Sequence, residues 1–303
     1  METNNLNTGV ASPAAPEKIG KIRGGYMVVA ESFKLLGRNK SIMMFPLAAL
    51  AVELLAVAAV LAGYFSVFGF NEEAFKKLEN PDYSGIMYLC LFIFYIVSIF
   101  IASYFQAGLV AAVSGQINGK KLGFNDGMKV AAAHFWKIFF WSAIAATAGV
   151  ILQFIASKFK YMGRIVASLL GAAWDIITFF IVPVLVLEND SVGQSIKRSG
   201  LIFKNKWGQT LIANFSTGLF FGFLMVLGFV AVFLAIIFGG GNPVLLVSAL
   251  VALVIYLLAV IVMSTAIEGI YRVVLYEYAA HEKLPESFNQ GLIVNAIKTD
   301  KKN

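Results

Sequence analysis

Long apolar segments separated by short polar loops make up most of the chain. The hydrocarbon core of a bilayer is about 30 Å thick, so a helix needs roughly 20 apolar residues to cross it. The pattern predicts six such helices, and therefore an all-α polytopic transmembrane bundle with interfacial amphipathic helices on its cytoplasmic side. The predicted spans cover residues 42–68, 86–113, 138–157, 165–187, 211–238 and 245–270.

Composition agrees with a membrane protein. Of the 303 residues, 59% are hydrophobic and 14% are charged, and the mean hydropathy is +0.79. Soluble domains are nearer half apolar and about a quarter charged. The net charge of +7 does not indicate a nucleic-acid partner, because membrane topology accounts for basic residues in the loops between spans. Membrane lipids are the expected partners, since anionic headgroups attract such residues by about 1 kcal/mol each.

A basic amphipathic helix is predicted over residues 18–40, ahead of the first span. Its apolar positions are three or four residues apart, as on one face of a helix. Such a helix lies in the membrane interface or packs on the protein's own helices, and the sequence favours neither arrangement. The apolar positions are Ile19, Ile22, Tyr26, Val29, Phe33 and Leu36.

The rest of the chain divides into a transmembrane domain and two tails. Residues 1–17 are polar and rich in Pro, Ala and Asn, without the basic start and apolar core of a signal peptide, and we expect a disordered tail. Residues 41–280 form the predicted six-span domain, and residues 281–303 form a cytoplasmic tail. Before the fifth span, Ser191 and Gln194 have the spacing of a capping box, which predicts a helix beginning there.

Basic residues are distributed unevenly between the two sides of the predicted membrane. Of the 24 Lys and Arg residues, nineteen lie in the amino-terminal segment, the carboxy-terminal segment and the loops after the second and fourth spans. The remaining five lie in the alternate loops. Because cytoplasmic loops are enriched in Lys and Arg, we expect a multi-pass protein of the cell (plasma or inner) membrane with both termini in the cytoplasm.

Two acidic residues, Glu53 and Asp175, fall near the middle of predicted spans. They enter from opposite sides, and at 1.5 Å per residue each lies roughly 15 Å deep, so they could meet near the midplane. An ionised residue there costs about 2.5–3.5 kcal/mol on insertion scales. One hypothesis is a pair that handles protons or cations. The alternative is two separate buried acids, each hydrogen-bonded to its neighbours.

Two further features of the spans suggest structural roles. Glu268 and Arg272 are four residues apart with the acid first, which favours an ion pair on one helix, and we expect that pair to be structural. Gly218 and Gly222 form a GxxxG motif in the fifth span, which supports close packing of helices in membranes.

Enzyme signatures are missing from the sequence. It contains no HExxH, GxSxG, Walker A or GxGxxG motif and no clustered set of Cys and His. Cys90 is the only cysteine, so no internal disulfide can form. We therefore expect no enzymatic activity and predict no catalytic, cofactor-binding or metal-binding residues.

Five segments spread along most of the chain are SFKLLGRNKSIMMFPL (32–47), FQAGLVAA (105–112), TFFIVPVLVLE (178–188), SIKRSGLIFKNKWG (195–208) and YRVVLYEYA (271–279). In these segments the chain resembles a family of bacterial and archaeal six-span membrane proteins of unknown function. The Ser-Ile-Lys-Arg-Ser stretch at residues 195–199, before a basic-aromatic turn, is also similar to the membrane domains of some glycerophosphodiester phosphodiesterases, although no phosphodiesterase domain is attached. The resemblance implies a fold and a membrane location but no activity.

Two functions are compatible with these features. The first is a non-enzymatic membrane protein that acts as a lipid-interacting or scaffold component, alone, with a membrane-protein partner or as a homo-oligomer. The alternative is a small transporter or channel that uses the intramembrane acids Glu53 and Asp175.

Overall fold

The computed structural model describes residues 21–79, 85–158, 160–239 and 242–281, and within these ranges it contains helices and no strand. The predicted all-α fold is therefore confirmed. The predicted tail over residues 1–17 and all but the first residue of the tail over residues 281–303 lie outside the described ranges. So does the start of the segment over residues 18–40.

Ten α-helices and one short 3₁₀ helix form the described chain. The 3₁₀ helix, Lys40–Met43, leads directly into the first span. The α-helices are α1 (Lys21–Arg38), α2 (Met44–Phe68), α3 (Glu72–Glu79), α4 (Gly85–Ile117), α5 (Phe124–Ala133), α6 (Phe135–Lys158), α7 (Lys160–Thr178), α8 (Ile181–Leu187), α9 (Val192–Phe238) and α10 (Pro243–His281).

Six stretches of these helices are long and apolar enough to cross a membrane, which confirms the predicted number of spans. They are Lys40–Phe68, Met87–Ile117, Phe135–Lys158, Met162–Leu187, Gly218–Phe238 and Pro243–His281. Large apolar side chains cover their outer surfaces, as a lipid environment requires; Leu55, for example, is 70% exposed. We expect these surfaces to contact lipid tails.

Helix α9 is longer than the fifth predicted span. It has 47 residues and begins at Val192, and Ser191 caps it together with Gln194 as the capping-box spacing predicts. A helix of that length is about 70 Å long, more than twice the thickness of a bilayer core. The first half of α9 therefore extends beyond the membrane. It does so at the end of the bundle where α1 and α5 lie and where α4 and α10 finish, which we call the α1 end.

The spans form a closed ring in chain order. Helix α2 packs on α4, α4 on α6, α6 on α7, α7 on α9 and α9 on α10, and α10 closes the ring against α2 while also contacting α4. The tightly packed core lies toward the α1 end, where the last turns of α4 and α10 are buried. Val110, Val113, Ile270 and Tyr271 are each completely or almost completely inaccessible there.

Helix α1 packs on the protein's own helices over the part whose side chains are described. Ser32, Leu35 and Leu36 are buried, and α1 contacts α9 and α10. Of the two arrangements that the amphipathic pattern allows, the structure therefore has packing on the protein's own helices rather than a position in the membrane interface alone. The exposed Lys34 and Arg38 lie on the opposite face.

The fourth span is two helices rather than one. Helix α7 ends at Thr178 and α8 begins at Ile181. Pro183 has no N–H and cannot bond back to the preceding turn. The break exposes the backbone N–H of Phe180, which donates to the buried Ser199 hydroxyl of α9 at 3.0 Å. This bond satisfies a group that would otherwise be orphaned in an apolar interior.

Glycine allows α4 and α5 to approach each other beneath Phe45. A Cβ at Gly127 would lie 2.5 Å from the carbonyl oxygen of Gly108 and 2.6 Å from the Phe45 ring. At Gly218 and Gly222, by contrast, a Cβ would meet no neighbouring atom within 4 Å. The close helix packing that this GxxxG motif favours is therefore not found among the described residues of the chain.

We predict that Gly127→Ala lowers the thermal stability of the detergent-solubilised protein. The new Cβ must displace backbone, and overpacking of this kind costs about 1–3 kcal/mol. The matched control is Gly222→Ala, which meets open space and replaces a mid-helix glycine, so its unfolding temperature should stay equal or rise. Equal unfolding temperatures for Gly127→Ala and the wild type would contradict the close approach.

Candidate functional site

A cavity of about 370 Å³ lies between α2, α4 and α10. Most of the side chains that line it are apolar, as expected within a membrane. Six polar side chains also line it: Glu53, Ser98, Gln106, Thr265, Glu268 and Arg272. A polar group at this depth is costly unless it has a partner or a function, so the cavity is the candidate site.

Helical periodicity brings these side chains together. On α2, Ala49, Leu50 and Glu53 line the cavity, and on α10, Thr265, Glu268 and Arg272 do so. Ala49 and Leu50 lie four and three residues before Glu53, and the three residues of α10 are three and four residues apart. Each set therefore lies on one face of its helix. Because α10 contacts both α2 and α4, three such faces converge on one space.

Glu53 is held by one hydrogen bond. The Ser98 hydroxyl on α4 donates to Glu53 Oε1 at 2.7 Å. Within the described part of the chain, Glu53 forms no ion pair, and neither a hydrogen bond nor an ion pair joins it to Asp175. The Ser98 bond is the kind of partner that the hypothesis of separate acids requires.

Glu268 and Arg272 form an ion pair that faces the same cavity as Glu53. Arg272 donates to Glu268 Oε1 at 2.5 Å, and its Cζ lies 4.9 Å from the centre of the Phe179 ring. Arg272 Nε is buried without a hydrogen-bond partner. Arg272 thus joins α10 to Phe179, the residue that follows α7, and one guanidinium N–H stays unused.

Asp175 lies elsewhere. It is exposed on α7 and is not among the residues that line the cavity. Its carboxylate is close enough to Arg272 to interact with it electrostatically. Arg272 lines the cavity with Glu53, and among the described residues its ion-pair partner is Glu268 rather than either of the two acids.

A second polar cluster at the α1 end involves Glu188. Arg198 Nε donates to both oxygens of Glu188, at 3.1 and 2.9 Å, and the Tyr276 hydroxyl donates to Oε1 at 2.9 Å. These contacts tie the end of α8 to α9 and α10. Sequence reasoning missed them because Glu188 and Tyr276 are 88 residues apart.

Glu277 forms the neighbouring polar contact. Its side chain is only 5% exposed, and it accepts from the Ser114 hydroxyl at 2.5 Å and contacts His281 Nδ1 at 3.2 Å. The four-residue spacing of Glu277 and His281 was a signal that could have been found, since such residues share a helix face. Together with Glu188, Glu277 links the ends of the long helices.

Comparison with known proteins places the chain in a family without assigning it an activity. A family model described as a family of unknown function, DUF6159, matches residues 85–285. Four of the five segments that carry the predicted resemblance lie within that match. Neither the curated proteins nor the solved structures contain a match. Since the match covers more than half of the chain, this protein belongs to the DUF6159 family of unknown function.

Proposed function

We propose that the protein is a non-enzymatic component of the membrane that binds anionic lipids at its α1 end. The observation that carries this proposal is the exposed positive charge there. Eight basic side chains at that end are exposed: Lys34, Arg38, Lys40, Lys120, Lys121, Lys129, Lys197 and Lys204.

Most acidic side chains of the same end are buried or paired, and Asp190 is half-buried. Glu31 pairs with Lys34 at 2.5 Å, Glu188 pairs with Arg198, and Glu277 is buried. Asp126 is half exposed; it accepts from the backbone N–H of Gly123 at the start of α5 and pairs with Lys129 at 3.8 Å. Exposed charge at the α1 end is therefore mainly basic, as a surface that meets anionic headgroups requires.

The electrostatic attraction of these basic side chains is large enough for selective binding of anionic lipid. Each Lys or Arg near an anionic surface contributes about 1 kcal/mol. Exposed charges are also screened beyond a distance of about 8 Å at physiological salt, so lipid retention should fall as ionic strength rises.

We predict that Lys120→Gln/Lys121→Gln/Lys129→Gln loses anionic lipid. Native mass spectrometry of protein released from nanodiscs of mixed phosphatidylglycerol and phosphatidylcholine would measure retained lipids. We expect retained phosphatidylglycerol to fall by about tenfold or more, since three favourable charges are removed. Lys76→Gln/Lys77→Gln, on α3 at the opposite end, is the control and should retain it. Unchanged retention of phosphatidylglycerol by the triple variant would contradict the proposal.

The same charge distribution supports an orientation with the α1 end in the cytoplasm of a cell membrane. In a Cys90→Ala background, we predict that an impermeant maleimide labels Lys76→Cys in intact cells. Lys121→Cys should be labelled only after permeabilisation. The reverse labelling pattern would contradict the orientation.

A second candidate function, transport, is favoured by the position of Glu53 in the cavity. We predict that the wild type in proteoliposomes carries a proton flux that a trapped pH-sensitive dye reports, and that Glu53→Gln/Asp175→Asn abolishes it. Glu72→Gln, outside the spans, is the control. Equal flux in the double variant and the wild type would exclude this role for the two acids.

Other expectations from the sequence stay predictions. These are the likeness to glycerophosphodiester phosphodiesterase membrane domains, a bacterial or archaeal origin for the family, and a membrane-protein partner or second copy. The proposal of lipid binding depends on none of them.

A further inference from the structure

We propose that the cavity between α2, α4 and α10 binds an organic amine as its ammonium cation, with the ammonium on Glu53 and the apolar part of the ligand among the surrounding side chains. This inference is independent of lipid binding at the α1 end. It names the class of ligand that the cavity would take if the transport candidate is right.

The charged side chains that line the cavity do not balance. Three charged side chains line the cavity, and two of them, Glu268 and Arg272, form an ion pair. Glu53 remains, with the Ser98 hydroxyl as its hydrogen-bond donor and no ion-pair partner among the described residues. An uncompensated carboxylate in a membrane interior is unfavourable, and one positive charge would neutralise the site.

The lining favours an organic cation over a metal ion. Ca²⁺ takes about six to eight oxygen ligands and Mg²⁺ about six. Within the described ranges, no group of three or more His, Cys, Asp and Glu side chains could hold a metal. The rest of the lining is mainly apolar and includes Phe45, Leu50, Ile101, Phe105, Leu109, Ile261 and Val262. Pockets of this composition bury an apolar ligand and orient it through a few polar groups.

The local geometry leaves suitable atoms free. Ser98 occupies Glu53 Oε1, and Oε2 forms no hydrogen bond with the described residues, so it can accept from an ammonium. The lining includes the aromatic side chains Phe45 and Phe105, and the faces of aromatic rings attract cations. The buried Nε of Arg272, which has no partner, can donate to an oxygen of the same ligand.

The test uses two probes of the same shape that differ in charge. Isothermal titration calorimetry of the full chain in nanodiscs, with empty nanodiscs subtracted, would measure binding of 2-phenylethylamine and 2-phenylethanol at neutral pH. A hydrogen bond to a charged group makes the amine bind at least about tenfold more tightly than the alcohol. Equal affinities for the two probes would overturn the proposal. It would also be overturned if neither probe nor the long-chain amine hexadecylamine bound.

Two variants locate the site. Glu53→Gln should reduce the affinity for the amine to that for the alcohol. Glu72→Gln, which removes an acid of α3 outside the spans, should bind as the wild type does. If Glu53→Gln does not fold, Ala49→Leu keeps Glu53 and fills the cavity one turn away, so both probes should lose affinity. Wild-type affinity for the amine in either Glu53→Gln or Ala49→Leu would overturn the assignment.

A competition arm identifies the source of the ligand. Hexadecylamine is added to the nanodisc lipids, and retained amine is measured by native mass spectrometry. Displacement of 2-phenylethylamine by hexadecylamine supports a membrane amphiphile, and binding of 2-phenylethylamine without displacement supports a soluble solute. The lysine variants at the α1 end keep Glu53, so failure of lipid binding and failure of amine binding would be distinguishable.

Discussion

A membrane interior offers no water to backbone groups, and the rest of this structure depends on that constraint. It favours helices, whose N–H and C=O groups bond to one another. The break between α7 and α8 illustrates this constraint. The Phe180 N–H has no partner within its own helix and donates to the Ser199 hydroxyl of α9 instead. The same constraint explains why polar side chains in the spans are few and why most have identified partners.

Arg272 of α10 interacts with several side chains of the spans. It pairs with Glu268, lies over the ring of Phe179 and attracts Asp175. One guanidinium thereby relates α10 to α7 while it also lines the cavity that contains Glu53. An arginine suits this position because its planar group can bond to a carboxylate and stack on an aromatic ring at the same time.

Polar contacts also hold the helices together at the α1 end. The Glu188 cluster fixes α8 against α9 and α10, and the buried Glu277 fixes the end of α10 against Ser114 of α4. With the acids used inside, basic side chains remain on the surface. Positive charge at that end is thus a consequence of packing as well as of composition.

The sequence by itself determined the class of the protein, the number of spans, the cap of α9 and the Glu268–Arg272 pair. These follow from local properties, namely runs of apolar residues, capping geometry and the spacing of residues on one helix. Only the tertiary structure decided that Glu53 faces Arg272's cavity while Asp175 does not, that Ser199 closes the break in the fourth span, and that Gly127 rather than Gly222 is a point of close approach. Those facts depend on the rotation of each helix about its axis and on its neighbours, because residues far apart in the chain meet only when packing is complete.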